Sequence, residues 1–356
     1  MTRVSFAAGD IGGARAILPI ARLAVGQGLT VRALRHGPLA AETAADWAWF
    51  EACEARHPTF WDPARDVLFY ATSVTDMAAP LIARDAQAAG VPIVHVLDNW
   101  STYARRLELP DGTRVIPDAY CVMDALAAQR AIEDGVPADI LHVTGHPGLA
   151  QLADEAAQSR AAQPGAPVQI LFVSEPVARD SMAVRPRGYD EAQVSALFAQ
   201  ALSAQALSGQ RAVVPHVHIC PHPREDRAEV AQRWQALADA HGLQTSIVPP
   251  QAVRERLHGA HLVVGMTSIL LYEAWLLGKP VLSLQPNLLD DALSELKSRQ
   301  GLYFCTQADT LPGMLKGALR QSVEETPTIK DDQVLHREAP MRTLDLGLCL
   351  KNRGRI

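Results

Sequence analysis

Short apolar runs alternate with longer alanine-rich segments along most of the chain, and this alternation constrains the fold most strongly. Helices are predicted between the apolar runs, at residues 14–26, 76–89, 124–133 and 224–241. The runs of Val, Ile, Leu and Phe that predict β-strands lie at 4–8, 30–34, 67–71, 93–97, 119–123, 140–144, 168–174, 215–220, 245–248, 262–265 and 281–284. Continuously apolar strands separated by helices are typical of parallel sheets that are covered on both faces. The sequence therefore predicts an α/β fold with parallel sheets.

The length of the chain predicts more than one domain. A chain of 356 residues exceeds what a single hydrophobic core usually organises. A Gln- and Ala-rich stretch with two prolines and a glycine, residues 157–169, interrupts the strand and helix pattern, as an interdomain linker does. A long surface loop within one domain is the alternative. We expect one domain at 1–160, a second at 167–330, and a terminal tail at 331–356.

Composition excludes several classes of protein. Lys and Arg number 33 against 39 Asp and Glu, and aromatic residues make up only 5%, so we expect no nucleic-acid partner. The five cysteines are scattered without a CxxC pair, which is typical of reduced thiols in a cytoplasmic protein. No secretory signal pattern and no apolar run of about 18 residues occurs, so we expect a cytoplasmic protein without a transmembrane helix.

The strongest local signal is the segment 262–284, a buried strand followed by a helix. Thr267 and Ser268 stand between the two and offer side-chain oxygens that cap the helix. A helix that begins at the carboxyl end of a parallel strand presents free N–H groups there, which suits a diphosphate. Glu273 lies a little over one turn further on and is placed to accept hydrogen bonds from ribose hydroxyls. The alternative is an ordinary helix packed on a sheet, with Glu273 in solvent.

Polar residues follow two further strands of the second half. His222 comes just beyond the strand predicted at 215–220, and Arg224 follows it. Ser174 and Glu175 stand at the end of the first strand after the proposed linker. Because the carboxyl ends of parallel strands meet at one edge of a sheet, all four side chains are candidates to contact a nucleotide sugar.

No metal site is predicted. His216 and His218 alternate within one strand, but no third ligand is identifiable, and half-buried strand histidines are the favoured interpretation. The acidic pairs at 290–291 and 331–332 also lack further ligands nearby.

The N-terminal strand ends in a glycine-containing loop, A-A-G-D-I-G-G. Gly12 and Gly13 allow close approach of a ligand to the backbone. The spacing matches neither G-x-G-x-x-G nor the phosphate loop G-x-x-x-x-G-K-[ST], which disfavours a dinucleotide dehydrogenase and a P-loop kinase. Asp10 lies at the tip of this loop. It serves either as a general base toward an acceptor hydroxyl or as the cap of the following helix, and the sequence leaves both interpretations open.

A polar and aromatic group follows the strand at 93–97. Asp98, Asn99 and Trp100 stand at the binding edge of a parallel sheet, where they are candidates to contact an acceptor or a sugar. Trp100 either stacks on a sugar ring or closes the core.

Together these segments resemble the GT-B fold, in which two Rossmann-like domains face each other across a cleft and the second holds the donor nucleotide. GVPADILHVTGHPGLAQL (135–152) looks like the end of the N-terminal domain in bacterial UDP-N-acetylglucosamine 2-epimerases and related glycosyltransferases. CPHPRE (220–225) and GMTSILLYEAWLLGKPVLSL (265–284) look like donor-binding elements of that superfamily. By this resemblance, the residues that contact the nucleotide diphosphate and ribose are His222, Thr267, Ser268 and Glu273.

The first half departs from the epimerases and from the related hydrolases. Epimerases carry a GTRPE-like opening and an HTEAGLR-like acidic stretch, where this chain has AAGDIGG and VHVLDNWSTYARR. The hydrolases have a histidine in the glycine loop, and in this chain that region reads GGARA. The His-Pro and Thr-Ser pairs also resemble two motifs of bacterial sialyltransferases. The third motif of those enzymes is an acidic pair before Gly, and in this chain it is matched only by Glu133-Asp134-Gly135, which is interpreted as a helix end.

The resemblance therefore implies a glycosyltransferase of polysaccharide biosynthesis, lipid-linked glycan synthesis or protein glycosylation. It would use a nucleotide-sugar donor as substrate, with no metal and no other cofactor, and its acceptor would be a glycan, a lipid-linked glycan or a protein. A UDP-sugar epimerase or hydrolase, or a non-catalytic nucleotide-sugar-binding protein, is the alternative. Contact with the inner face of a membrane and the oligomeric state stay open.

Overall fold

The chain forms two compact units. The computed structural model describes residues 2–34, 39, 51–53, 60–72, 78–156, 168–179, 186–208, 215–289, 296–297, 299–324 and 329–353. The first unit combines Met1–Asp154 with Lys330–Ile356, and the second comprises Glu155–Ile329.

The first unit is built on a seven-stranded parallel sheet. Its strands are β1 (Arg3–Ala8), β2 (Thr30–Leu34), β3 (Glu51–Cys53), β4 (Asp66–Ala71), β5 (Ile93–Val96), β6 (Ala119–Val122) and β7 (Leu141–Val143), in the spatial order β3-β2-β1-β4-β5-β6-β7. Its helices are α1 (Ile11–Gly26), α2 (Ala78–Ala88), α3 (Ala125–Glu133) and α4 (Ala150–Ala156), together with the terminal helix α10 (Lys330–Arg353). Glu155 and Ala156, the end of α4, already count with the second unit.

The second unit repeats this plan with a six-stranded parallel sheet. Its strands are β8 (Gln169–Val173), β9 (His216–Cys220), β10 (Gln244–Ile247), β11 (Leu262–Gly265), β12 (Val281–Leu284) and β13 (Leu302–Cys305), in the order β10-β9-β8-β11-β12-β13. Its helices are α5 (Glu191–Ser208), α6 (Arg227–His241), α7 (Val253–Gly259), α8 (Ile269–Leu276) and α9 (Leu311–Glu324).

The predicted fold class is confirmed, and all eleven predicted apolar runs form strands. Two strands were not predicted, β3 and β13, which lie at the edges of their sheets. β3 is a three-residue run, EAC, that carries a charge, whereas β13 is an apolar run, LYFC, that the sequence pattern did not single out. In each sheet the strand order reverses at one point, between β1 and β4 and between β8 and β11. Such switch points are where open α/β sheets bind their ligands, at the carboxyl ends of the strands.

The prediction of a separate tail at 331–356 is wrong. These residues form most of α10, which belongs to the first unit and places Leu344 in the core of that unit. A Cβ on Gly347 would lie 2.3 Å from Cζ of Phe69 in β4, so the helix approaches the sheet closely at a glycine. The leucines of this helix that pack on the core alternate with polar and small residues, and Pro340 lies inside the helix, so its sequence does not show a regular helical pattern. The predicted linker lies, over 157–167, outside the described residues.

Within the described part of the chain, no helix is both long enough and apolar enough to cross a membrane.

We predict that Gly347→Ala destabilises the chain. The added methyl group meets the buried ring of Phe69, which packs on Phe6 at 5.5 Å between ring centroids, so it costs about 1–3 kcal/mol of unfolding free energy. The matched change Gly313→Ala, in α9, meets no atom within 4 Å and should stabilise by roughly 0.5 kcal/mol. Thermal unfolding measures both variants. Equal melting temperatures for the two would contradict the close packing of α10.

Candidate functional site

Two neighbouring strands of the second unit end side by side at its switch point. Val264 of β11 pairs with Phe172 of β8, so the residues beyond the two strands lie next to each other. The buried Glu175 carboxylate accepts hydrogen bonds from Thr267, through Oε2 from the backbone N–H at 2.7 Å and through Oε1 from the hydroxyl at 3.0 Å. The hydroxyl oxygen accepts in turn from Nη1 of Arg187 at 3.1 Å. A carboxylate and a guanidinium therefore meet at Thr267.

Helix α8 begins directly after this contact. Ser268 is its N-cap, and Oγ accepts from the N–H of Leu270 at 3.3 Å. Among the described residues, the backbone N–H groups of Ser268 and Ile269 have no hydrogen-bond partner. These donors and the positive end of the helix dipole make the start of α8 suitable for an anion. Glu273 lies half-buried one turn further along the helix.

The loop after β9 is held by a second carboxylate. Glu225 Oε2 accepts from the backbone N–H of His222 at 2.8 Å, and Oε1 accepts from the hydroxyl of Ser174 at 2.8 Å. Arg233 pairs with the same carboxylate at 3.4 Å. The backbone N–H of Arg224 donates to Nδ1 of His222 at 3.1 Å, so in the neutral ring the proton lies on Nε2. His222 thus carries a donor on Nε2.

The structure brings most of the predicted site residues of the second unit to one edge. Ser174 and Glu175 follow β8, His222 follows β9, and Thr267 and Ser268 follow β11, and these three strands are neighbours. Arg224 lies near them, with an exposed side chain.

Arg187 was missed by the sequence analysis. Its loop approaches another loop closely at Gly188, where a Cβ would lie 2.0 Å from the carbonyl oxygen of Asn287. Gly188 has a φ of +91°, which favours glycine. This contact joins two loops that are far apart in sequence. No motif in the sequence around Arg187 therefore predicts it.

In the first unit, Asp10 caps helix α1. Its Oδ1 accepts from the backbone N–H of Gly13 at 2.7 Å. This is the capping role, one of the two roles that the sequence left open for Asp10. Both glycines of the loop allow close approach. A Cβ on Gly13 would lie 3.0 Å from Cβ of Ala71 in β4, and a Cβ on Gly12 would lie 2.6 Å from Oδ2 of Asp98. The glycine loop therefore lies against the residue that follows β5.

Asp98 is paired with an arginine that the sequence analysis did not single out. Arg106 Nη1 donates to Oδ1 of Asp98 at 2.7 Å, and the two side chains are 5% and 10% exposed. Arg106 also donates to the carbonyl oxygens of Thr72 and Ser101. The guanidinium thus ties the residues after β4 and β5 together at the edge of the sheet.

Asn99 and Trp100 differ in exposure. Asn99 is exposed, whereas Trp100 is buried and donates from Nε1 to Oδ2 of Asp124 at 2.8 Å. Asp124 also caps α3 by accepting from the N–H of Ala127. The structure therefore places Trp100 in the core, the second of its two predicted interpretations.

A row of three buried rings crosses the sheet of the first unit near Arg106. It consists of Tyr70 of β4, His95 of β5 and Tyr120 of β6. His95 stacks on Tyr120 with centroids 4.5 Å apart and contacts the ring edge of Tyr70 at 4.9 Å. Neither ring nitrogen of His95 has a hydrogen-bond partner within the described part of the chain. Burial, followed by the positive charge of Arg106, holds the pKa of His95 well below 6.5, so this ring is neutral at physiological pH.

The strand order is 3-2-1-4-5-6-7 in the parallel sheet of the first unit and 3-2-1-4-5-6 in that of the second, and the chain has the GT-B fold, as the sequence resemblance implied. No family model and no curated protein matches the sequence. Solved structures match over almost the whole length. MurG from Acinetobacter baumannii is 14% identical with a TM-score of 0.56, over 98% of this chain and 99% of that chain.

Two further structures show the same likeness. HepE from Anabaena, in complex with UDP, is 12% identical with a TM-score of 0.62, over 99% of this chain and 100% of that chain. The UDP-GlcNAc 2-epimerase from Methanocaldococcus jannaschii is 12% identical with a TM-score of 0.61, over 98% of this chain and 100% of that chain. At such identities the likeness shows the fold.

The strand histidines of the second unit form a stacked pair that shares one hydroxyl partner. His216 stacks on His218 at 4.3 Å between centroids, and both rings contact Ser246 Oγ, at 3.1 and 2.8 Å. His218 Nε2 also contacts Oε1 of Gln169 at 2.7 Å. Within the described residues, no group of three or more His, Cys, Asp or Glu side chains is arranged to hold a metal ion.

We predict that this pair makes the second unit sensitive to acid. The pKa of His218 is lowered from 6.5 to about 4. Burial is the largest cause, and the charges of His216 and Arg256 lower the pKa further. Above pH 6.5 the neutral ring contributes its full stability. As the pH falls from 6.5 towards 4, the unfolded chain binds a proton that the folded chain does not, so stability is lost. His218→Gln should flatten the dependence of melting temperature on pH in this window, and an unchanged slope would contradict the assignment.

Proposed function

We propose that this chain is a glycosyltransferase that moves a sugar from a nucleotide-sugar donor to a hydroxyl of a glycan, lipid-linked or protein acceptor. The observation that carries the proposal is the switch point of the second unit. There the N–H groups of Ser268 and Ile269 stand beside Arg187 at the start of α8. Backbone donors, a helix dipole and a guanidinium are groups that bind a phosphate.

The donor phosphates would sit at the start of α8. As the bond to the sugar breaks, negative charge grows on the leaving phosphate, and fixed donors that are already in place stabilise it. Glu175 holds Thr267 in position, and Arg187 offsets the negative charge of that carboxylate. Donors of this kind do the work that a divalent metal does in other transferases, so we propose a metal-independent reaction. His222 Nε2–H is a further donor for the phosphate or sugar.

The nucleotide proposed is UDP. HepE was crystallised with UDP and also with UDP and glucose, and the Methanocaldococcus jannaschii epimerase was crystallised with UDP-GlcNAc and UDP. The ribose would be held by Glu273, whose carboxylate accepts hydrogen bonds from hydroxyl groups. A lipid-linked acceptor would place the reaction at the cytoplasmic face of the membrane.

A 2-epimerase is the second candidate, since several of the similar solved structures are UDP-GlcNAc 2-epimerases. The glycine loop and the residues after β5 depart from the epimerase motifs, which favours transfer. Incubation of the chain with UDP-GlcNAc alone, followed by product analysis, separates the two. Accumulation of the C2 epimer without an acceptor would replace the transferase proposal.

We predict that UDP raises the melting temperature of the wild-type chain and raises that of Glu273→Ala much less. A ligand that binds only the folded state stabilises it by mass action, and the variant loses the contacts to ribose. Glu255→Ala changes an exposed glutamate of the same unit and should keep the wild-type shift. A screen of UDP, GDP and CMP measures this. No shift with any nucleotide would refute the donor site.

We also predict that Arg187→Ala weakens UDP binding by about 10-fold to 100-fold, since a charge-assisted hydrogen bond contributes about 1.5–3 kcal/mol. Isothermal titration calorimetry measures the affinity. Arg187→Lys should recover part of it, because the ammonium keeps the charge but loses the forked geometry. An affinity that is unchanged in Arg187→Ala would place the phosphates elsewhere.

A further inference from the structure

A buried amide links the two parts of the proposed phosphate site in the second unit. Gln285 stands directly after β12 and is fully buried. Its Oε1 accepts a hydrogen bond from the hydroxyl of Tyr189 at 3.1 Å, and its Nε2 donates to the carbonyl oxygen of Met266 at 3.1 Å. Tyr189 lies two residues beyond Arg187, and Met266 directly precedes Thr267. One side chain therefore contacts both the loop that carries Arg187 and the turn that leads into α8.

The polar atoms of this amide are all hydrogen-bonded. Nε2 of Gln285 also donates to Oγ of Ser283 at 2.9 Å, and that hydroxyl donates to the carbonyl oxygen of Met266 at 2.6 Å. The two N–H groups of the amide thus have two acceptors, and the amide oxygen has a donor. Ser283, Met266 and Tyr189 are buried as well. A buried network in which every member is satisfied is rigid, and the loss of one member leaves its partners unpaired.

The loop that carries Arg187 is also held through its backbone. The carbonyl oxygen of Arg187 accepts from the N–H of Leu289 at 3.1 Å. Gly188 lies so close to Asn287 that a Cβ on Gly188 would come 2.0 Å from the carbonyl oxygen of Asn287. The segment 285–289, which follows β12, therefore sets the position of the backbone of Arg187.

The side chain of Arg187 depends on this support because it is long. A long side chain that becomes ordered only when the ligand binds loses rotamer freedom at that moment, which lowers the affinity. Nη1 of Arg187 donates to the hydroxyl of Thr267 at 3.1 Å, and that hydroxyl donates to Oε1 of Glu175 at 3.0 Å. The guanidinium is therefore already ordered beside the start of α8, provided that its loop stays in place.

We infer that Gln285 is the positioning residue of the donor phosphate site; this inference rests on the proposed function. It acts through Tyr189 on the loop of Arg187 and through Met266 on the turn before α8. The amide thereby keeps the guanidinium and the first N–H groups of α8 at a fixed separation. Both can then contact one phosphate group without rearranging when the nucleotide binds, which is the condition for tight binding and for stabilising the charge of a leaving phosphate.

The first experiment removes one hydrogen bond and keeps the packing. Tyr189→Phe loses the hydroxyl that is bonded to the amide and keeps the ring. Isothermal titration calorimetry with UDP should give an affinity about 3-fold to 10-fold below that of the wild-type chain, a smaller loss than that of Arg187→Ala. GDP or CMP takes the place of UDP if the wild-type chain binds one of them instead. Tyr303→Phe is the matched control and should bind like the wild-type chain, because Tyr303 pairs with Leu282 and so lies on the face of the sheet opposite to Ser283.

The second experiment tests whether this network acts through Arg187. In the Arg187→Ala background, Tyr189→Phe should leave the remaining UDP affinity unchanged, because the side chain that Tyr189 helps to position is gone. A residue that only stabilises the fold would instead change the affinity by the same factor in both backgrounds. Gln285→Met keeps the length of the side chain without its polar atoms. Its effect on UDP affinity should be smaller in the Arg187→Ala background but should not vanish, because Gln285 also contacts the turn before α8. The melting temperature of each variant without nucleotide shows whether it is folded.

The outcomes separate the inference from the proposed function. If the wild-type chain binds none of UDP, GDP and CMP, the proposed function fails, and the inference fails with it. If Arg187→Ala weakens nucleotide binding but Tyr189→Phe binds like the wild-type chain, the inference is overturned while the donor site stands. An equal loss from Tyr189→Phe in both backgrounds overturns it in the same way. If Arg187→Ala itself binds like the wild-type chain, there is no contact for Gln285 to position, and the inference is overturned.

Discussion

The parallel pairing of β8 with β11 is the interaction on which the candidate donor site depends. Because both strands run in the same direction and pair in register, their carboxyl ends deliver Glu175 and Thr267 to the same point. The hydrogen bonds between these residues fix the loop that leads into α8, and that helix then presents its first N–H groups at the edge of the sheet. A slip of one residue in the pairing would turn every side chain of the shifted strand to the opposite face of the sheet and break the contact between Glu175 and Thr267.

In the first unit, too, residues that follow neighbouring parallel strands meet at the edge of the sheet, but their side chains differ in kind. There the residues after β1, β4 and β5 converge, and the contact is an aspartate paired with an arginine beside a glycine loop. The second unit offers backbone donors and an arginine at its edge, which suit an anion, whereas the first offers carboxylates, which suit a hydroxyl. Both edges thus combine carboxylates with an arginine, Glu175 with Arg187 in the second unit and Asp98 with Arg106 in the first.

Much of this arrangement was predictable from the sequence. An apolar run shows where a buried strand ends, and in a parallel sheet the residues after the strand are the ones that reach the binding edge, so Glu175, Thr267 and Asp98 were found. Arg187 and Arg106 were not found, because they come from loops or short turns and reach the edge through contacts between segments distant in sequence. Helix α10 was missed because its core-facing leucines do not recur at a regular helical spacing and because it contains a proline.

Helix α10 has a consequence for how the chain is made. The first unit is discontinuous, since residues 330–353 complete a core whose other members precede residue 155. During translation the ribosome must deliver the entire second unit before the cover for Phe69 is available. The apolar face of the nascent first unit therefore stays exposed until α10 has been synthesised. The second unit is continuous in sequence and is free to fold as soon as it emerges. Expression of the first unit alone would require residues 330–353 to be joined to residue 154 through a short linker.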